Sequence, residues 1–495
     1  MSRILLLMVV VLWMCRSAAP GLRTPMDITQ GAGLFVAGLL LVVLFMGLWS
    51  RVIARHVRGD NLHRSLRRFH NSLSIARMLI PVWFAIALFG LGWANLVGRM
   101  LDPIGKWPVE LPGMLIGTAP AFLAWMALWW AQFPADRALR EQSVLVQFDH
   151  DLPIHPPPSF WSYFSSNLRL QVLFTFVPVA LILGLRDIAS MIVWYFQDID
   201  LRSANLDAHG AAVELVAMLI AIKLVVIFIP EVLRHVLDTQ PLPDSPLRRR
   251  LEELCRRTGL RYREILLWKT NHNMGNAAVM GLIPQIRYIL LSDMLLETMT
   301  DKQIEAVFAH ELGHVKHRHM AWYVVLFVTL LLILSGPGQF VGGLVEKIHR
   351  PHWISPELLG SIGVLLGVGT FLAVFGFLSR WFERQADVFA ARTMEREDAQ
   401  HLLALALGPA PSYVGKHGAT TFASALQRVA IVNNIPVSAR NFTHGSIAER
   451  MQYLQQLSSD PTRTAQFDRW MSLLYAMMLF ALLVSGVWVL ITFAA

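Results

Sequence analysis

Eight runs of mostly apolar residues, at about 31–50, 78–98, 113–132, 170–196, 211–233, 322–344, 358–378 and 470–493, are each long enough to cross a ~30 Å hydrocarbon core as a helix. Tryptophans near several of their ends (Trp49, Trp93, Trp129, Trp130, Trp194, Trp322, Trp470) suit an interfacial belt. The pattern changes near 238–246, where a polar stretch begins and runs to about 320. A second polar stretch runs from about 379 to 468. Within the first, 245–258 reads as a helix with Leu247, Leu251 and Leu254 inward and a basic outer face. Short strands follow at 264–269 and 288–291, around the turn-rich segment at 271–276. The segment 300–309 predicts a further helix, with Thr300 or Asp301 as N-cap and an apolar stripe of Ile304, Val307 and Phe308. The chain thus predicts an α-helical polytopic membrane protein of about 7–8 transmembrane helices with a split, mainly helical α+β polar domain.

Composition agrees. Apolar residues make up 55% and charged residues 16% of the chain, where soluble domains carry about 25% charge. The net charge of +9 is informative mainly by its placement. Arginines crowd the first loop (Arg51, Arg55, Arg58, Arg64, Arg67, Arg68), the stretch before the sixth run (Arg248, Arg249, Arg250, Arg256, Arg257, Arg261, Arg263) and the one after the seventh (Arg380, Arg384, Arg392, Arg396). The intervening loops are poor in basic residues, an alternation that puts the polar domain at the cytoplasmic face. No stacking aromatics interleave these arginines, so anionic lipid explains them better than nucleic acid. Arg3 and the apolar run behind it read as a signal peptide or signal anchor ending near Ser17-Ala18-Ala19. Two distant cysteines, Cys15 and Cys255, make neither a disulfide framework nor a cysteine metal site. The Pro153 and Pro156–Pro158 tract reads as a rigid linker.

The chemistry is carried by His310-Glu311-Leu312-Gly313-His314. Imidazoles four apart share a helix face and suit two ligands of a tetrahedral zinc ion, while Glu311 lies one step round, placed to take a proton from the attacking water. A hydrolytic zinc site needs a third protein ligand and an open fourth position. Glu383 and Asp387, four apart on one predicted helix, supply it: Glu383 completes a His-His-Glu set and Asp387 accepts the free ring N–H of a ligand histidine. His272 reads as a solvated or structural loop histidine. His317 and His319 receive no metal role, with position 317 on a polar helix face.

These residues carry a resemblance. The segments Asn276-Ala277-Ala278-Val279-Met280-Gly281, with Arg287-Tyr288 through Asp293, His310–His314 extended to His319, and Ser379-Arg380 through Asp387 resemble the membrane zinc metallopeptidases of the CAAX prenyl protease type 1 and HtpX family, which are gluzincins. The resemblance covers about 245–454, and five spans before the motif with two between it and the glutamate are similar to the prenyl protease layout. It implies a zincin-like metalloprotease domain, one Zn²⁺ per chain, and a substrate backbone held along Asn276-Ala277. It also implies His444 as a stabiliser of the oxyanion and Arg450 as support for the site carboxylates. Glycine stands at 445 where the family usually has proline, the N-terminal half lacks the prenyl protease signature, and an additional C-terminal span follows.

The expected organisation is therefore a signal segment at 1–20, five spans over 31–233, a first protease part at 240–320, two spans over 321–378, a second part at 379–468 and a last span at 469–495. The expected activity is that of a membrane zinc metalloendopeptidase cutting membrane-associated, possibly lipidated, proteins or peptides, in a bilayer that is expected to be a bacterial inner membrane. A site-2-type protease would need the motif inside an apolar span. A transporter, channel or scaffold with structural zinc would account for Glu214, Lys223 and Glu231 in apolar runs, but has no use for Glu311.

Overall fold

The computed structural model describes residues 2–14, 27–57, 61–102, 110–149, 156–200, 207–272, 274–335, 356–403, 413–433 and 435–494. Cys15, the Ser17-Ala18-Ala19 stretch, Pro153 and part of the sixth apolar run fall outside these residues. The chain divides into two compact units.

The first unit comprises Met1–Thr239, Lys269–Asn273 and Pro356–Val364. Its helices are α1 (Ser2–Met14), α2 (Ile28–His56), α3 (Leu62–Gly90), α4 (Trp93–Leu101), α5 (Glu110–Asp149), α6 (Phe160–Asn167), α7 (Phe174–Asp200) and α8 (Asp207–Val236), with a π-helical turn at Leu168–Leu173 between α6 and α7. Trp13, Phe35, Phe84, Trp125 and Trp129 are fully buried at its centre. One boundary differs from expectation: the second apolar helix begins at Leu62, takes Arg64, Arg67 and Arg68 into its first turns, and ends at Gly90. Gly92, at φ +72, breaks the chain direction before α4, so the run at 78–98 is two helices rather than one.

The second unit comprises Gln240–Trp268, Met274–Ser355 and Leu365–Ala495. A four-stranded sheet of β1 (Thr239–Pro241), β2 (Glu264–Trp268), β3 (Ala277–Met280) and β4 (Tyr288–Ser292) has the order β1-β2-β4-β3. Strands β2 and β4 are parallel, with Ile265 opposite Ile289. The edge strand β3 runs antiparallel to β4, with Ala277 opposite Leu291 and Met280 opposite Tyr288. Its helices are α9 (Pro246–Thr258), α10 (Asp293–Thr298), α11 (Asp301–Lys316), α12 (His319–Ser335), α13 (Pro356–Leu403, from Leu365 in this unit), α14 (Lys416–Val432), α15 (Ile447–Ser459) and α16 (Pro461–Ala494).

Helix α11 starts at a capping box made by Thr300 and Gln303. Its apolar surface is wider than the expected stripe: every residue from Ile304 to His310 is buried, because β3, α9 and α14 enclose it. The enclosed carboxylate of Glu305 is answered by Arg250 of α9, whose Nε lies 2.6 Å from Glu305 Oε1. Among the described residues six helical segments are long and apolar enough to cross a membrane: Ile28–His56, Arg64–Gly90, Glu110–Gln142, Phe160–Ile192, Leu365–Arg396 and Pro461–Ile491. The chain is a multi-pass, mainly helical membrane protein. The fifth of these segments is part of α13, the helix that carries Glu383 and Asp387.

Gly313 sets how closely α11 and α13 approach. A Cβ at this position would lie 3.0 Å from the Ala386 Cα and 3.2 Å from the Phe389 Cβ. Helix propensity would return about 1 kcal/mol to Gly313→Ala, roughly cancelling mild overpacking. Gly313→Val gains less propensity and pushes harder, so it should cost about 2 kcal/mol. Thermal unfolding of the detergent-solubilised protein checks this, and an unchanged midpoint for Gly313→Val would mean that the two helices are not held at this contact.

Candidate metal centre

His310 and His314 project from the last turns of α11 and Glu383 from α13. Their donor atoms all lie within 4.8 Å of one another. His310 Nε2 and His314 Nε2 are 3.2 Å apart, His310 Nε2 lies 3.5 Å from Glu383 Oε2, and His314 Nε2 lies 3.6 Å from Glu383 Oε1. A tetrahedral ion with bonds of about 2.0–2.1 Å requires donors roughly 3.3 Å apart, so the three side chains fit such an ion without rearrangement. Two nitrogens and a carboxylate oxygen are a donor set for a first-row transition metal rather than for magnesium or calcium.

Each donor is oriented by a neighbour. The ring of His310 stacks on Phe422 of α14 at 5.6 Å and 16°, and its Nδ1 lies 2.9 Å from Asp387 Oδ1. Asp387, fully enclosed, accepts a two-pronged contact from the guanidinium of Arg450, with Nε 2.8 Å from Oδ2 and Nη2 2.5 Å from Oδ1. The same guanidinium stands 3.7 Å from Glu383 Oε2. Burial works against a charge on His310, but the Asp387 and Glu383 carboxylates beside it win and push its pKa up to about 9. Burial holds His314 at about 3, and it is therefore a neutral lone-pair donor. Burial likewise raises Glu311 to about 7, poising this carboxylate between its two protonation states near neutral pH. For Arg450, burial is outweighed by Asp387 beside it, and its pKa rises.

The loop before α15 supplies the remaining groups. Ser446 and Glu449 form a capping box that starts α15 and places Arg450 in its first turn. His444 Nδ1 lies 2.8 Å from Glu383 Oε1, with the imidazole half exposed. Gly445 has φ +71, which proline cannot adopt, and its N–H donates to the Asn441 carbonyl at 3.0 Å. The turn is therefore built on a backbone pair between Asn441 and Gly445, which accounts for glycine at this position. Asn276 and Ala277 lie at the start of the edge strand: Asn276 N–H donates to Ser292 Oγ at 2.8 Å and its carbonyl accepts from Ser292 N–H at 2.9 Å. Glu311 accepts a backbone hydrogen bond from Val279 of β3, bringing this carboxylate against the strand.

The structure thus gathers His310, Glu311, His314, Glu383, Asp387, His444 and Arg450, with Ala277 on β3 and Asn276 just before it. His272, at φ +53, lies in a turn that belongs to the first unit. Two contributors escaped the sequence reading. Asn433, at the end of α14, clamps Gly275 by both backbone groups, accepting from its N–H at 3.0 Å and donating to its carbonyl at 2.8 Å. His319, given no role in the sequence, is 1% exposed, and its Nδ1 lies 2.9 Å from His314 Nδ1. The turn at Arg318, where φ is +55, carries it back towards His314.

Fold and donor set together give a cluster able to hold a metal ion within a multi-pass membrane chain. Residues 241–458 match the model of peptidase family M48. Among curated proteins, it is similar to a CAAX prenyl protease 1 homolog of Arabidopsis thaliana, 30% identical over 33% of this chain and 40% of that protein. A protease HtpX homolog of Aeropyrum pernix is 29% identical over 37% of this chain and 59% of that protein. The matches therefore span about two fifths to three fifths of these relatives. Among solved structures, S. mikatae Ste24p aligns with 85% of this chain and 98% of its own, at 16% identity and a TM-score of 0.40.

The Arg450–Asp387 contact is the support most exposed to test. Arg450→Ala leaves a buried carboxylate unpaired, at a cost of about 3–5 kcal/mol, and Arg450→Lys restores charge but only one prong. The expected order of unfolding midpoints is wild type, Lys variant, Ala variant. Equal midpoints for all three would show that Asp387 does not depend on this guanidinium.

Proposed function

We propose that the protein is a membrane-embedded zinc metalloendopeptidase that hydrolyses peptide bonds in membrane-associated proteins or peptides. The observation that carries this reading is the spacing of His310, His314 and Glu383 at 3.2–3.6 Å, with the non-donor carboxylate Glu311 beside them. His310, His314 and Glu383 would hold the ion. The chemistry zinc supplies when bound is Lewis acidity, which polarises the scissile carbonyl and acidifies water.

The chain's own groups do the rest. The Glu311 carboxylate takes the proton of the attacking water and returns it to the leaving amine nitrogen. Its elevated pKa suits both halves of that transfer. His444, half exposed on its loop, is placed to donate a hydrogen bond to the developing oxyanion once released from Glu383. Arg450 and Asp387 hold the ligand carboxylate and His310 in register. Strand β3 ends the sheet on the side away from β4, where Val279 meets Glu311, and an extended substrate would add to that edge alongside Asn276 and Ala277. Asn433 fixes the start of the strand. The names of the CAAX prenyl protease 1 homologs point to lipidated polypeptides as a substrate class, and the arginine alternation along the chain favours a cytoplasmic catalytic face of a bacterial inner membrane.

Glu311→Gln should retain stoichiometric zinc and lose peptide hydrolysis by at least about 10²-fold. Zinc content by elemental analysis and cleavage of a casein-type substrate decide it, and wild-type turnover by this variant would refute the mechanism. Chelation should abolish activity and added zinc restore it. Asn433→Ala should raise KM several-fold with a smaller effect on kcat, because it loosens the substrate edge rather than the chemistry. A pure kcat loss in steady-state kinetics would speak against the clamp.

A further inference from the structure

Beyond the three donors, the metal centre has two unlike backings. His310 is backed by a carboxylate, whereas His314 is backed by an uncharged chain of side chains that ends on the C-terminal apolar helix. His314 presents Nε2 to the other donors, so its Nδ1 faces away, 2.9 Å from His319 Nδ1. His319 Nε2 lies 2.9 Å from Gln385 Oε1, and the Tyr475 hydroxyl of α16 donates to the same oxygen at 2.5 Å. His319 is 1% exposed and its ring lies flat on Phe382 at 4.4 Å and 3°. Tyr475 is held by Trp322 of α12, stacked at 4.4 Å and 21°. Buried polar atoms in such a setting must satisfy one another.

The protons in this chain are interdependent. For Nε2 of His314 to offer a lone pair, its Nδ1 must carry the hydrogen and donate to His319 Nδ1. His319 then carries its own hydrogen on Nε2 and donates it to a carbonyl oxygen, which Gln385 supplies. If the amide of Gln385 were turned, its NH₂ would donate to His319, the whole chain would invert, and His314 would hold a hydrogen on the atom that faces the metal. The Arg318 backbone, in the left-handed region at φ +55, makes the turn that brings His319 back to His314.

We propose that the C-terminal membrane helix is part of the metal centre: Tyr475, Gln385 and His319 are positioning residues that fix His314 in its metal-binding tautomer. This assigns a task to the span that the sequence marked as additional, and it rests on the metal reading given above. Such outer partners are worth about 10- to 100-fold in metal affinity.

The test uses the full chain in detergent, with Zn²⁺ affinity measured by competition with a chromophoric chelator and the ligand field read from the visible spectrum of the Co²⁺-loaded protein. His319→Phe keeps an aromatic ring for the stack on Phe382 and removes the acceptor; it should weaken zinc roughly 10- to 100-fold and alter the cobalt spectrum. His319→Gln, which restores an acceptor, should recover part of both. Tyr475→Phe removes one hydroxyl and should weaken zinc roughly 2- to 10-fold. Leu473→Ala, at an exposed position on the same helix, should change neither. Wild-type affinity and spectrum in Tyr475→Phe together with a folded His319→Phe overturn the proposal; if His319→Phe does not fold, wild-type behaviour of Tyr475→Phe overturns it alone. His314→Ala separates the two layers: if it binds zinc as the wild type does, the metal reading itself has failed, whatever the relay variants show.

Discussion

Everything in the second unit serves one close approach, the contact of α11 with α13 at Gly313 and Ala386. Three donor atoms must converge to within about 3.3 Å of one another, and they come from two helices separated in sequence by 321–378, much of it apolar. Side chains as short as glutamate and histidine reach a common point only if the backbones nearly touch. Gly313 makes that possible, and Ala386 opposite it completes the fit. The cost of the arrangement is electrostatic. Glu311, Glu383 and Asp387 crowd a space that Arg450 answers with a single positive charge. With all three carboxylates ionised two negative charges are left over, a balance that a divalent cation would neutralise.

That excess explains why the supports are placed where they are. An ion pair between a buried carboxylate and a guanidinium is poor stabilisation by itself, since desolvation offsets most of the attraction. Its value here is geometric: the fork of Arg450 fixes Asp387, and Asp387 fixes the ring of His310. Phe422 constrains the same ring from its flat side. The chain of enforcement runs outward from the donors to α14, α15 and α16, so helices that contribute no donor still determine where the donors point.

Much of this was legible in the sequence, and the reasons are specific. The HExxH pentapeptide and the Glu383–Asp387 pair are local patterns, in which helical spacing alone puts two groups on one face, and the structure brings both together. The capping residue Thr300 and the strands at 264–268 and 288–292 follow from the same short-range rules. What stayed hidden depends on turns and on distant partners. His319 shows no role in the sequence, because it depends on Arg318 taking a positive φ, which no pattern of apolar residues announces. Asn433 and Gly275 are 158 residues apart. The second apolar run was placed too late because its first turns carry arginines, which hydropathy discounts although a helix tolerates them at its ends.

The two histidine ligands illustrate how a membrane chain can use an apolar helix near charged chemistry. A carboxylate behind both imidazoles would have added another buried negative charge to a site already in excess. Backing His314 with neutral groups avoids that, but a neutral chain specifies its direction only if its far end is anchored. The anchor has to be a polar atom on a surface that is otherwise lipid-compatible, and tyrosine meets both conditions, with a ring that stacks on Trp322 and a hydroxyl that reaches Gln385. The ligand on the carboxylate side is thereby fixed by charge and the other by tautomer, and only the second requires a helix from the membrane.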